Sequence, residues 1–303
     1  MKRDFLTMDS LTPRELSGLL DRAAQMKAAR LSSSALAGCA VGMIFEKPST
    51  RTRVSFEVGV SELGGWPLVL SASEMQLGRG ETIEDTARVL SRYLGMLVVR
   101  TFGQDRLDRL ARAASIPVVN ALSDLEHPCQ VLADLLTIRE HLGDPGGRTL
   151  AYVGDGNNVA HSLMIGGALS GMHVRIGVPP GYEPIPQVVR RAEEIAEGGG
   201  GSIVVTTDAA RAVAGAHVVY TDVWASMGQE AEAEERRLIF APYQVNEHLV
   251  SSASPDAIVM HCLPAHRGEE ISDEVIEGER SVVWDQAENR LHSQKALMEW
   301  LRT

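Results

Sequence analysis

At 303 residues, 44% hydrophobic and 23% charged, the chain exceeds a single small module and has the composition of a globular protein with ample core. Forty acidic against 29 basic residues leave a net charge of −11, which argues against a nucleic-acid or anionic-membrane binder, whose affinity rests on a basic surface. The three cysteines (Cys39, Cys129, Cys262) make no C-x-x-C, residues 1–9 lack a secretory apolar stretch, and no apolar run approaches the ~20 residues that span a bilayer; a cytoplasmic protein without disulfides is expected.

Thr12-Pro13-Arg14-Glu15 carries an N-cap, a proline at the first helical position and a capping-box acid, and Leu16, Leu19, Leu20, Ala23 and Met26 continue it as a helix. A short buried strand is predicted at Val41–Phe45, then a helix through Val54, Val58 and Leu63. Strand and helix then alternate: Leu68–Leu70, a helix over 82–93, Met96–Val99, a helix over 106–114, Pro117–Val119 and a helix over 130–142. The breaker cluster Gly143-Asp-Pro-Gly-Gly147 interrupts this rhythm. It restarts with Thr149–Val153, a helix after Asn158, His173–Val178, a helix over 187–197, Ile203–Val205 and His217–Tyr220. Later strands are predicted at Ala257–Met260 and Ser281–Trp284, and a last helix over 288–301 presents Leu291, Leu297 and Leu301. Such alternation predicts an α/β protein of two doubly wound parallel-sheet domains, 1–142 and 143–287, with 288–303 packing back on the first. An active site is expected in the interdomain cleft, at carboxyl ends of strands.

The sharpest local signal is Ser49-Thr50-Arg51-Thr52-Arg53, between a strand and a helix. Hydroxyls, guanidinia and the free N–H groups of a helix start converge there, as a phosphate requires; the plainer alternative is an N-cap followed by a solvated basic turn. Gly154-Asp-Gly-Asn-Asn158 half-completes a dinucleotide fingerprint, but the third glycine position is Val159 and no acid ends the next strand, so a polar βα turn is the better reading. His127-Pro-Cys-Gln130 reads alone as a capping turn around a buried cysteine. Cys262, in His261-Cys-Leu-Pro264, falls at a strand's carboxyl end, as core or as a cleft thiol, and a structural zinc is disfavoured because adjacent residues do not easily face one metal. Asp222, in Asp222-Val-Trp-Ala-Ser226-Met227-Gly228, offers an acid for an ammonium group, or a helix cap. Arg100 ends a strand, Arg290 lies in the last helix, and Gln76 sits in a glycine-punctuated loop. Cations gathered at strand ends of an acidic chain point to a small anionic substrate.

Phe45-Glu-Lys-Pro-Ser-Thr-Arg-Thr-Arg53, His127-Pro-Cys-Gln130, Asp222-Val-Trp-Ala-Ser-Met-Gly228 and His261-Cys-Leu-Pro264 together resemble, in order and over essentially the whole chain, the aspartate/ornithine carbamoyltransferase family. The Ser-Met-Gly loop and His-Cys-Leu-Pro segment point to its ornithine branch. The resemblance implies carbamoyl transfer from carbamoyl phosphate to the δ-amine of L-ornithine, giving L-citrulline and phosphate in arginine metabolism, with no organic or metal cofactor. It implies carbamoyl phosphate binding by Ser49, Thr50, Arg51, Thr52, Arg53, Gln76, Arg100, His127, Gln130, Cys262, Leu263 and Arg290, with Gln76 passed to a neighbouring subunit. Ornithine would meet Asn158, Asp222, Ser226 and Met227, and the catalytic set would be Cys262, Asp222, Arg100 and His127. A homotrimer or multiple of trimers is implied, with neither nucleic acid nor membrane as partner. Three rivals stand beside this reading: a sibling carbamoyltransferase acting on aspartate, putrescine or an N-acylated ornithine, disfavoured for aspartate because Asp222 stands where cations would be needed; an NAD-dependent oxidoreductase, weakened by the missing ribose acid; and a non-catalytic anion-binding or regulatory protein of the same fold.

Overall fold

The computed structural model describes residues 2–29, 33–71, 80–225 and 232–303. The chain forms two compact units, one of Met1–Ala133 with Glu288–Thr303 and one of Asp134–Ala287. The sequence reading places the boundary between residues 142 and 143; the units part nine residues earlier, inside a helix.

In the first unit, α1 (Pro13–Ala28) starts on the capping box of Thr12 and Glu15. β1 (Ala40–Phe45), α2 (Thr50–Glu62), β2 (Trp66–Ser71), α3 (Ile83–Tyr93), β3 (Met96–Arg100), α4 (Gln104–Ala113) and β4 (Val118–Leu122) follow. All strands pair in parallel, in the order β2-β1-β3-β4. Leu97, Val99, Leu107 and Leu110 form core on one side of the sheet. On α2 the buried residues are Thr52, Phe56, Gly59 and Val60, whereas Val54 and Val58 are exposed. Gly59 allows close packing of the chain's last helix, since a Cβ there would lie 3.3 Å from Lys295 Cγ and Met298 Cε.

α5 (Pro128–Leu142) carries the chain across the division. In the second unit come β5 (Thr149–Val153), α6 (Asn158–Leu169), β6 (His173–Gly177), α7 (Pro186–Gly199), β7 (Ser202–Thr206), α8 (Ala209–Val213) and β8 (Val218–Thr221). They are followed by α9 (Ala233–Phe240), α10 (Glu247–Val250), β9 (Ile258–His261) and α11 (Asp273–Ile276). The sheet order is β7-β6-β5-β8-β9, again all parallel. Val153, Val219 and Val259 pack with Val245, Ile271 and Val283.

The predicted strand at Ser281–Trp284 does not form. Ser281 makes one bridge to Val259, and α12 (Val283–Arg302) begins two residues later. An apolar run as short as Val282-Val-Trp284 cannot distinguish a strand from a helix start. Leu297 and Leu301 are buried as expected, but Leu291 only partly, because α12 also buries Gln286, Asn289, Arg290, Gln294 and Lys295. Lys295 meets Glu62.

In each sheet the strand order reverses beside its first strand, so crevices open between the carboxyl ends of β1 and β3, and of β5 and β8. The second crevice is where a dinucleotide would approach Gly156. That approach is taken by the chain itself: Gly156 N donates to Tyr182 O at 2.9 Å, and a Cβ at 156 would sit 2.4 Å from Tyr182 O and Pro184 N. Gly156→Ala is expected to cost about 1–3 kcal/mol in urea unfolding by forcing two backbone segments apart; an unchanged midpoint would contradict this packing.

Candidate active site

The first unit brings its candidate residues to the β1/β3 crevice. Phe45 and Arg100 are opposite each other at the ends of β1 and β3. Ser49 Oγ accepts from Thr52 N at 3.2 Å, so it caps α2 and turns the helix start towards the crevice. Thr52 is fully buried and its Oγ1 accepts from Arg290 Nη2 at 2.5 Å. Arg100, His127, Gln130 and Arg290 are all buried, while Ser49 and Arg51 are half-buried and Thr50 is exposed. Burial, then the nearby Arg290 and Arg100, hold His127 well below the usual imidazole range, so it is neutral at pH 7. A neutral imidazole between guanidinia is a hydrogen-bonding group and not a third cation. Arg53 is not brought to this group: it is exposed and pairs with Glu57 at 3.0 Å one turn along α2. Cys129 is core, donating to Asn120 O at 3.3 Å, with its thiol pushed up to about 12 by burial.

The second unit gathers a hydrogen-bonded chain at the ends of β5, β8 and β9. Cys262 Sγ donates to Asp222 Oδ1 at 3.0 Å, and Asn157 Nδ2 donates to Asp222 Oδ2 at 2.9 Å. Asn157 Oδ1 also accepts from Val159 N and Ala160 N, capping α6, so the turn that presents Asn158 is locked to the acid of the next strand end. Among the described residues Asp222 caps no helix; it is a buried acceptor. Asp155 is buried too and pairs with Arg236 at 3.0 Å, while Arg236 also donates to Trp224 O at 2.8 Å. Burial raises Asp155 above the usual carboxylate range against the opposing pull of Arg236. Leu263 adopts φ 56°, a left-handed conformation that costs a leucine ~1–2 kcal/mol, and is held by its N–H donating to His261 Nδ1 at 2.8 Å.

Donor atoms of Asp222, His261 and Cys262 lie within 4.8 Å of one another, the spacing of a metal cluster. Both ring nitrogens of His261 are engaged, however, Nδ1 by Leu263 N–H and Nε2 by Glu270 Oε1 at 3.0 Å. That leaves no imidazole lone pair for a metal, and the cluster is a hydrogen-bond chain as it stands. Gln76, Ser226 and Met227 lie outside the described residues.

Sequence reasoning missed Asn157, Arg236, Glu270 and Gln286. Asn157 was visible as one of two adjacent asparagines, with nothing to say which one turns inward. Arg236 lay in the charged run Glu234-Glu-Arg-Arg237, which reads as a solvated face.

The depressed pKa of His127 has a consequence for stability. Below pH ~6.5 the unfolded chain binds a proton that native His127 does not, so stability falls as pH drops, by up to about 1.4 kcal/mol per pH unit from this group. His127→Gln should flatten the fall in urea-unfolding free energy between pH 7 and 5; parallel curves for the two proteins would contradict a neutral native His127.

Two family descriptions cover the chain: the carbamoyl-P binding domain of aspartate/ornithine carbamoyltransferase matches residues 3–140, and its Asp/Orn binding domain matches residues 146–301. Ornithine carbamoyltransferase of Parafrankia sp. is 61% identical, over 99% of this chain and 96% of its own length. The Acidothermus cellulolyticus ornithine carbamoyltransferase is 59% identical, over 99% and 97%. The solved ornithine carbamoyltransferase of Pyrococcus furiosus superposes with a TM-score of 0.94 at 54% identity, covering 98% of this chain and 96% of that one. The chain belongs to the aspartate/ornithine carbamoyltransferase family.

Proposed function

We propose that the protein transfers the carbamoyl group of carbamoyl phosphate to the δ-amine of L-ornithine, releasing L-citrulline and phosphate. The observation that carries this reading is the pairing of chemistries in one chain: buried Arg100 and Arg290 with neutral His127 at one crevice, and the Asp222–Cys262 hydrogen bond at the other.

On this reading residues 1–142, completed by 288–303, bind carbamoyl phosphate, and 143–287 bind ornithine. The start of α2, with Ser49, Thr50, Arg51 and Thr52, takes the phosphate, whose charge grows as it leaves, so cations and helix N–H groups there lower the barrier. Arg100, His127 and Gln130 serve the carbamoyl oxygen as the tetrahedral intermediate forms; His127 donates as a neutral group, which keeps an extra charge out of the crevice. Arg290, fixed on Thr52, supports the same end. Arg53, turned outward to Glu57, has no part in this site. Asn158, Ser226 and Met227 bind the amino-acid end of ornithine and Asp222 its ammonium. Cys262, beside the Leu263 carbonyl, faces the δ-amine, which must lose a proton before it attacks, and the Cys262–Asp222 pair accepts or relays that proton.

The enzyme works in the cytoplasm, in arginine metabolism, as a homotrimer to which Gln76 contributes across subunits. Exposed Trp66 and Leu68 on the edge strand β2, with Val54 on α2, support a surface covered by another copy. No helix among the described residues is long and apolar enough to cross a membrane.

The test is citrulline formation from carbamoyl phosphate and L-ornithine, with aspartate, putrescine and N-acetylornithine as parallel acceptors. Ornithine alone should give product; turnover of another acceptor in its place would overturn the assignment of Asp222. Cys262→Ala should lower kcat by about 10²-fold or more while the KM for carbamoyl phosphate stays within a small factor. Unchanged turnover would remove Cys262 from the mechanism.

A further inference from the structure

The Asp222–Cys262 contact lies just beyond the point where the β8–β9 ladder stops. The last paired residues are Thr221 and His261, so no backbone ladder holds Asp222 and Cys262 in register. Behind them sits the fully buried side chain of Gln286, in the first turn of α12. Its Oε1 accepts from His261 N at 2.9 Å, and its Nε2 donates to Asp134 Oδ1 at 2.8 Å and to Tyr220 Oη at 3.0 Å. His261 is the neighbour of Cys262, Tyr220 lies two residues before Asp222, and Asp134 is on α5. One amide thus ties together the ends of β8 and β9 and a third element. The outward N–H of His261, on the edge strand of this sheet, is satisfied in the same act.

We propose that Gln286 is a positioning residue that sets the Asp222–Cys262 pair, and so the approach of the amine; the kinetic part of this rests on the ornithine-side reading above. The choice of side chain follows from the three partners. A backbone N–H needs an acceptor, whereas a carboxylate and a phenol oxygen need two donors, and a carboxamide supplies both. Leucine supplies neither. Glutamate supplies the acceptor and one donor only while protonated, because ionised it would place a second buried carboxylate against Asp134. The titratable groups around position 286 are Asp134 on α5, Tyr220 on β8, Asp222 beyond it, His261 and Cys262 at the end of β9, and the His141–Asp285 pair at 2.9 Å next to it. Of these, Tyr220 stays neutral, its phenol pushed well above the usual range foremost by burial.

The experiment compares wild type, Gln286→Leu and Gln286→Glu, each checked for folding by circular dichroism and thermal melting. Gln286→Leu should lower kcat/KM for ornithine about 100-fold, with the KM for carbamoyl phosphate within about twofold of wild type. Gln286→Glu should work near the wild-type rate at low pH, and its activity relative to wild type should fall reversibly as pH rises and the shared proton is lost. Iodoacetamide labelling of Cys262, located by mass spectrometry, should quicken about threefold or more in Gln286→Leu, because the thiol is no longer held on Asp222. A folded Gln286→Leu with wild-type kcat/KM, or a Gln286→Glu to wild-type ratio that is flat with pH, overturns the proposal. If Gln286→Leu does not fold, the ratio decides alone. If wild type makes no citrulline from ornithine, the proposed function fails, and the labelling rates still decide whether Gln286 sets the pair.

Discussion

A parallel sheet covered on both faces leaves polar chemistry nowhere to go but its ends, and both sheets here are wholly parallel. The strands of the first unit's centre, β1 and β3, are apolar until their last residues, where Arg100 and the Ser49–Thr52 turn appear. In the second unit the same holds for β5, β8 and β9, which end in Asp155–Asn158, Asp222 and Cys262. Reversal of strand order beside β1 and beside β5 then separates the flanking connections and opens a crevice at those ends. The placement of Ser49, Arg100, Asn158, Asp222 and Cys262 follows from this arrangement, whereas Arg290 is delivered by α12 and Arg53 is turned away to Glu57.

The two crevices solve opposite electrostatic problems. At the first, two guanidinia that stay charged at any physiological pH are buried beside one imidazole, and the imidazole is the group that yields, losing its charge. At the second, the buried acid Asp222 pairs with no guanidinium among the described residues; its oxygens are held by a thiol and an amide, both neutral donors. The neighbouring Asp155 takes the cation instead, through Arg236. An acid held by a thiol and an amide is an arrangement suited to an ammonium group, which fits an amine nucleophile better than an anionic one.

How much of this was legible in the sequence depends on the range of the interaction. Strand-end residues were legible because local rules place them: an apolar run ends, a turn follows, and its polar residues lie at the carboxyl end. Ser49 as a helix cap and Cys129 as core were both open to plain local readings, and the structure bears those readings out. Arg53 misled because composition counts guanidinia without regard to helix phase; one residue beyond buried Thr52 turns it about 100° around α2 towards Glu57. Ser281–Trp284 misled because two valines carry a strand preference that the helix beginning at Val283 overrides. Asn157, Arg236 and Gln286 were illegible for another reason: their partners are 65, 81 and 152 residues away in the chain, and no periodicity encodes such pairings.

The left-handed Leu263 shows how those long-range partners serve the site. Outside glycine this is the one described residue with positive φ, and strain of that kind persists only where its surroundings over-determine it. Here they do. Leu263 N–H is fastened to His261 Nδ1, which must therefore be the unprotonated nitrogen, so Nε2 carries the proton that Glu270 Oε1 accepts. Glu270 Oε1 accepts a second bond from His266 N, closing the turn that follows, and His261 N is held from behind by Gln286. The imidazole is thus fixed in tautomer and tilt by Leu263 N–H and Glu270, and the His261 backbone is held from behind by Gln286. The strained backbone that follows Cys262 is kept in place by this rigid, buried framework, and the thiol's direction towards Asp222 is a consequence of it.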